Sequence, residues 1–268
     1  MKDTAVVIID YNNIFKQDDS EDGSNVQSLL TEIINEIKSD YNSVEHIVMR
    51  AYGGWYDKNG LTNKGSRIQQ KLSAVSVDLF PVPNGNKTIS GTLEIADQMF
   101  GVDGVWDNTC REKEGLPQLV VNTSNISRIE CEKDDNKDVC PVNILKKFTK
   151  KRSKICHISN CQNTNAVFYR IEQKMVDSIM VCDILTYGED EKTKVIYVLS
   201  NDVDLFPGIV LCSIKHSEVV LNLKIRTRQA INNNVHLDDS ELTRQSRSLT
   251  DYSNYLYKFN PNIKISEI

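Results

Sequence analysis

The stretch from Val195 to Pro207, VIYVLSNDVDLFP, constrains the fold more than any other part of the chain. Five of its first six residues are apolar or aromatic, without polar alternation. This pattern is typical of a strand buried on both faces of a parallel sheet. Ser200 and Asn201 end the run, and Asp202 and Asp204 follow directly. Because ligands of open α/β sheets bind outside the carboxyl ends of the strands, we expect a binding loop here.

Two interpretations of this loop remain open from its residues alone. Asp202 and Asp204 repel each other unless a cation or a proton lies between them, which favours a metal site. Alternatively, Asp202 is the N-cap of the helix that follows and Asp204 a first-turn acid favoured by the helix dipole.

A second apolar run, Ala5 to Ile9, predicts another buried parallel strand, and Asp10 and Asn13 follow it. Strands that run parallel end at the same edge of the sheet, so this carboxylate and amide are expected in the same crevice as Asp202. An isolated Asp at a strand end is also compatible with a turn or a cap.

A third acidic position lies in a late helix predicted over residues 175–187, after a strand predicted from Val167 to Ile171. Asp177 falls in its first turn, preceded by Lys174. Asp183 lies six residues on, roughly 240° around a helix, so it cannot share a narrow face with Asp177.

The remaining pattern alternates strands and helices, which predicts an α/β fold with a mostly parallel sheet. The other predicted elements are a helix from Ser24, a strand His46 to Tyr52, a helix Asn63 to Val75, a short strand Val77 to Val82, a helix Thr88 to Phe100, a helix 204–213 and a strand Val219 to Ile225.

Basic and aromatic residues lie at the end of the strand predicted from His46 to Tyr52. Arg50, Trp55 and Tyr56 could hold a phosphate and stack on a base, as in proteins that bind single-stranded nucleic acid. The alternative is that the two aromatic rings only cover the core.

A basic run from Lys146 to Lys154 holds six Lys or Arg in nine residues, in a chain whose net charge is −5. We expect Lys147, Lys150 and Lys151 to contact a phosphate backbone. A solvated basic face is the alternative.

Seven cysteines and no long apolar segment suit a protein of the reducing cytoplasm without a membrane span or signal peptide. Zinc binding remains an open alternative for the region of residues 131–161. Its candidate ligands are Cys131, Cys140, Cys156, His157 and Cys161, of which only the pair Cys156 and Cys161 approaches zinc-ligand spacing.

Three motifs stand in order: Asp10-x-x-Asn13, Lys174-x-x-Asp177, and the run from Ser200 to Pro207. Together they resemble the NYN-domain family of PIN-like ribonucleases over about residues 4–225. The resemblance implies a PIN-like three-layer α/β sandwich around a mostly parallel sheet. It also implies a nuclease domain over 1–225, with a cysteine-containing insertion at about 103–165 and a C-terminal extension over 226–268.

The resemblance further implies a function. Asp10, Asp177, Asp202 and Asp204 match the family's acidic, metal-binding cluster, and Asn13 its supporting amide. The implied activity is Mg²⁺- or Mn²⁺-dependent endonucleolytic cleavage of RNA. The chain departs from the family in its insertion and in having Asn201 where Gly is frequent.

The implied chemistry fits the residues, because Mg²⁺ and Mn²⁺ take oxygen ligands and can activate water and stabilise phosphate charge. The motifs contain no Cys or His, and no Gly-x-Ser-x-Gly motif is present, which disfavours zinc and serine hydrolases. The alternative to an enzyme is an RNA- or protein-binding module that kept the fold and lost turnover.

Overall fold

The computed structural model describes residues 2–15, 23–102, 109–114, 150–154, 166–225, 260 and 262–268. The chain divides into two compact units, Met1–Thr109 with Met175–Ile268, and Cys110–Lys174.

A seven-stranded, mostly parallel sheet forms the centre of the first unit. Its strands are β1 (Asp3–Asp10), β2 (Val44–Tyr52), β5 (Val82–Asn84), β6 (Lys87–Ile95), β10 (Thr193–Leu199), β11 (Val220–Ile225) and β12 (Ile263–Glu267). Their order is β12-β11-β10-β1-β2-β6-β5, and only β5 runs antiparallel to its neighbour. A two-stranded hairpin, β3 (Tyr56–Asp57) and β4 (Gly60–Leu61), follows β2.

Helices cover both faces of this sheet, so the unit has three layers. After β1 come α1 (Tyr11–Ile14) and α2 (Ser24–Asp40), and α3 (Asn63–Leu79) precedes β5. The other two helices are α4 (Val176–Glu189) and α5 (Phe206–Lys215), the latter preceded by a 3₁₀ turn, Val203–Leu205. Alternate residues of β1 enter opposite cores: Val7 and Ile9 pack with α2 and α3, and Val6 and Ile8 pack with α4 and α5. The predicted α/β class with a mostly parallel sheet is confirmed.

The second unit contains a three-stranded antiparallel sheet of β7 (Cys110–Glu114), β9 (Ala166–Gln173) and β8 (Lys150–Lys154), with β9 in the middle. The strand predicted at Val167 to Ile171 is therefore confirmed.

The helix predicted over Thr88 to Phe100 is wrong, because most of this stretch forms β6. The buried residues Ile89, Leu93 and Ile95 are separated by multiples of two, as on one face of a strand. The strand predicted over Val77 to Val82 is also wrong. Instead α3 continues to Leu79, because Val75 and Leu79, four residues apart, reach the core together, while Val77 is 78% exposed.

The central sheet extends past the boundary expected at residue 225. Within the segment assigned to a C-terminal extension, residues Ile263–Glu267 form β12, which pairs in parallel with β11. Ile263 is 1% exposed and Ile265 packs beside it in the same core as α5. Alternating apolar residues thus place this segment at the sheet edge.

No helix in the described ranges combines the length and the apolar character that crossing a membrane requires.

A candidate metal centre at the carboxyl edge of the sheet

Asp10 and Ser200 lie side by side at the carboxyl edge, because β1 and β10 are paired in parallel with Ile9 opposite Leu199. The Ser200 hydroxyl is fully buried and donates a hydrogen bond of 2.8 Å to Asp10 Oδ2. Ser200 Oγ also accepts the Asp202 N–H at 3.0 Å. One serine therefore joins the ends of two neighbouring strands.

Asp202 begins the 3₁₀ turn that follows β10. Its Oδ1 accepts the Asp204 N–H at 2.9 Å, so Asp202 is the N-cap of this turn, as one of the two interpretations of the sequence predicted. The cap uses one carboxylate oxygen. Asp204 is exposed, in the first turn. The capping role therefore leaves the metal-binding interpretation open.

Asn13 links the two loops from the side of β1. Its N–H donates to Asp10 Oδ1 at 3.3 Å, which caps α1, and its Oδ1 accepts the Asn201 N–H at 3.4 Å. Asn13 therefore connects the Asp10 side chain at the end of β1 with the Asn201 N–H after β10.

Asp177 approaches the same edge from α4. It lies in the first turn, where the helix dipole favours a negative charge, and its side chain is half-buried. One carboxylate oxygen from each of Asp177, Asp202 and Asp204 lies within 4.8 Å of the others. The structure thus brings together three of the four predicted acids from two separate elements.

The spacing of these oxygens suits a small divalent cation. Oxygens on opposite sides of a Mg²⁺ ion, each about 2.1 Å from it, lie about 4.2 Å apart. The three carboxylate oxygens, which lie within 4.8 Å of one another, are therefore close to the separation that one such ion requires. Asp10 is outside this set of three, and Ser200 and the Asn13 N–H hold its two oxygens.

Burial and crowding favour protons or cations at this edge. Burial raises the pKa of Asp10 to about 6, even though the hydrogen bonds from Ser200 and Asn13 oppose the rise; Asp177 and Asp202 add to it. Burial also raises the pKa of Asp177, and the charges of Asp202 and Asp204 raise it further. A divalent cation would relieve the repulsion that these shifts reflect.

We expect Asp10→Asn to stabilise the metal-free protein at neutral pH. A carboxyl whose folded pKa is raised above its unfolded value of 3.8 destabilises the native state once it ionises. Near pH 4 the free energy of unfolding of the variant should therefore equal that of the wild type. The difference should grow in favour of the variant as pH rises to about 6, and should stay at about 1–3 kcal/mol above pH 7. Urea denaturation in EDTA across this range measures the difference, and a gap that does not grow with pH would contradict the burial of a charged Asp10.

The aromatic and basic group predicted at the end of β2 is mostly inside the protein. Trp55 is fully buried, and its Nε1 donates to the Ala51 carbonyl at 2.9 Å. Arg50 is 3% exposed and forms ion pairs with Asp183 and Glu94. Neither side chain is on the surface where it could contact RNA, because each is held by groups of the core. Tyr56, on β3, is partly exposed.

The remaining candidate residues belong to the second unit or fall outside the described residues. Lys150 and Lys151 are on β8 of the second unit, and Lys147 lies outside the described residues. The candidate zinc ligands Cys131, Cys140, Cys156, His157 and Cys161 are outside the described residues as well.

Sequence analysis did not predict the contacts of two further residues, Ser200 and Asp183. The sequence marks Ser200 only as the end of a strand. Its hydrogen bonds to Asp10 and Asp202 could be predicted only if the pairing of β1 with β10 were known. Asp183 was excluded from the face of Asp177 and is instead fully buried against Arg50. An Asp within the apolar stretch MVCDILTY was the signal that a buried partner exists.

Comparisons of the chain with protein-family models, curated proteins and solved structures give no match.

Proposed function

We propose that this chain is a Mg²⁺- or Mn²⁺-dependent endoribonuclease with a PIN-like fold of the NYN type. The observation that carries the proposal is the convergence of Asp177, Asp202 and Asp204 within 4.8 Å at the carboxyl edge of a parallel sheet. Carboxylates from separate elements that meet at such an edge suit a hard cation rather than a capping role alone.

Each residue has a defined part in the proposed chemistry. Asp177, Asp202 and Asp204 would hold the cation, which lowers the pKa of a bound water and stabilises charge on the phosphate. Asp10, hydrogen-bonded to Ser200 and beside this set, would accept a proton or orient the attacking water. Asn13 would keep the two strand ends together through Asp10 and Asn201.

RNA as the substrate rests on a different support, the resemblance of the three motifs to the NYN family. The surface at this edge is compatible with a polyanion: Lys64, at the start of α3, is exposed and donates to Asn12 Oδ1, next to Asn13. Lys58 and Arg67, on the neighbouring hairpin turn and helix, are exposed as well.

The test is a cleavage assay with purified protein and end-labelled RNA, single-stranded DNA and mononucleotides, with Mg²⁺, Mn²⁺ or EDTA. We expect internal cleavage of RNA that depends on Mg²⁺ or Mn²⁺ and stops in EDTA. Release of phosphate from mononucleotides without RNA cleavage would indicate a phosphatase instead. No turnover, combined with RNA binding, would indicate the binding module that the sequence left open.

A further inference from the structure

Asp183 connects α4 with β2 and with the segment that follows β6 through three hydrogen bonds. Its Oδ2 accepts hydrogen bonds from Arg50 Nη1 and from the Tyr52 hydroxyl, each 2.5 Å long. Its Oδ1 accepts the Phe100 N–H at 2.8 Å. The carboxylate is 0% exposed, so these three donors replace the water that it loses on folding.

The partners of Asp183 are themselves fixed. Arg50 and Tyr52 belong to β2, and Arg50 Nη2 donates to the Gln98 carbonyl at 2.6 Å. Arg50 is 3% exposed and Tyr52 is 1% exposed. The carboxylate of Asp183 is therefore held against the carboxyl end of β2 and the segment that follows β6.

The beginning of α4 has weaker local support. Its N-cap, Met175, has a left-handed backbone with φ 61° and makes no side-chain capping hydrogen bond. Asp177 is two residues further on, and Asp183 is six residues beyond it, about 9 Å along the axis. Ile179, Met180 and Ile184 pack on the sheet. Hydrogen bonds are directional, so those of Asp183 restrict the rotation and axial position of α4 more narrowly than apolar contacts alone.

We propose that Asp183, held by Arg50 and Tyr52, is a positioning residue that sets the rotation and axial position of α4 and so places the Asp177 carboxylate beside Asp202 and Asp204. The inference rests on the proposed metal site. A buried ion pair often contributes little net stability compared with apolar packing, which fits a role in geometry. The group acts at a distance through the helix and touches no substrate.

The test is a double-mutant cycle read out by Mn²⁺ affinity, measured by calorimetric titration of the full chain. Asp183→Asn replaces one acceptor oxygen with an amide nitrogen, which cannot accept the bonds from Arg50, Tyr52 or Phe100. We expect about tenfold weaker Mn²⁺ binding, the scale of changes to groups that orient metal ligands. Glu94→Gln is the matched control, because it removes the exposed carboxylate that pairs with the same Arg50. It should leave the affinity unchanged.

The second arm separates positioning from general loosening of the fold. If Asp183 acts through Asp177, the double variant Asp177→Asn/Asp183→Asn should bind Mn²⁺ as Asp177→Asn alone does. A further tenfold loss in the double variant, or unchanged affinity in Asp183→Asn, would overturn the proposal. Should Asp183→Asn not fold, Tyr52→Phe keeps the ion pair and removes one donor, and the same cycle should show a smaller, equally non-additive loss.

Failure of the proposed function gives a different result. A wild-type protein that binds no Mn²⁺ overturns the metal site itself. Crystal structures of the wild type and Asp183→Asn then decide the positioning role, because it requires the separation of the Asp177 and Asp202 carboxylates to change. An unchanged separation overturns it.

Discussion

Asp202→Asn should lower metal-dependent RNA cleavage by at least about 100-fold while leaving the fold intact. The substitution removes one negative charge from the set formed with Asp177 and Asp204. The cation should bind more weakly and its water should be less acidic. An Asn side chain can still accept the Asp204 N–H, so the cap of the 3₁₀ turn is preserved.

The stability of the metal-free variant gives an independent check. The charge of Asp202 raises the pKa of both Asp10 and Asp177, so its removal relieves repulsion at the edge. We expect the melting temperature in EDTA to hold or rise slightly. In Mn²⁺ the wild type should gain stability through binding, and the variant should gain less.

A matched control exists at the opposite edge of the sheet. Asp190 lies between α4 and β10 and accepts the Lys192 N–H at 3.1 Å. Asp202 makes the same kind of hydrogen bond, because it too accepts the N–H of the residue two positions later, Asp204. Asp190→Asn should cut RNA at the wild-type rate. If Asp202→Asn also cleaves at that rate across a Mn²⁺ titration, Asp202 is only a cap and the proposed chemistry is wrong.

The parts of the fold that could be predicted are those in which local pattern and environment agree. Residues Ala5 to Ile9 and Val195 to Leu199 are continuous apolar runs because both faces of these strands are covered, and the structure buries all of them. The acids that follow could then be placed at one edge, because parallel strands end together.

The sequence-based predictions failed where apolar residues fit both the helix and the strand period, or where a residue contacts a partner that is distant in the sequence. Thr88 to Ile95 contains apolar residues that fit a strand as well as a helix, and only its place beside β2 selects the strand. The contact of Asp183 with Arg50 spans 133 positions, and that of Ser200 with Asp10 spans 190. Composition and spacing can indicate that a buried partner exists, but they do not identify the partner.

Arg50→Met should destabilise the protein by about 3–5 kcal/mol at neutral pH, because it leaves the Asp183 carboxylate buried without its charged partner. Met has a length similar to that of the arginine stem, so the loss should reflect charge more than volume. Glu94→Gln, which removes only the exposed partner of Arg50, should change stability by less than about 1 kcal/mol. Urea denaturation of the three proteins measures both differences.

The pH dependence of this loss identifies its cause. Burial already raises the pKa of Asp183, and the Arg50 charge opposes the rise, so the variant should have a still higher Asp183 pKa. A raised carboxyl pKa destabilises the folded state when the group is ionised, so the loss should be largest above that pKa and shrink as pH falls towards 4. A uniform loss at pH 5 and pH 8 would point to packing rather than charge.

The same variant separates the buried role of Arg50 from the nucleic-acid contact that its sequence position suggested. If Arg50 were a surface contact, its substitution would leave stability unchanged and weaken RNA binding, and the binding would depend less steeply on salt. If Arg50 is a buried partner of Asp183, its substitution should have the opposite effects. Folding stability should fall, and RNA binding by the remaining folded protein should persist with its salt dependence unchanged. Because Arg50 is 3% exposed and pairs with a fully buried carboxylate, we expect the second outcome.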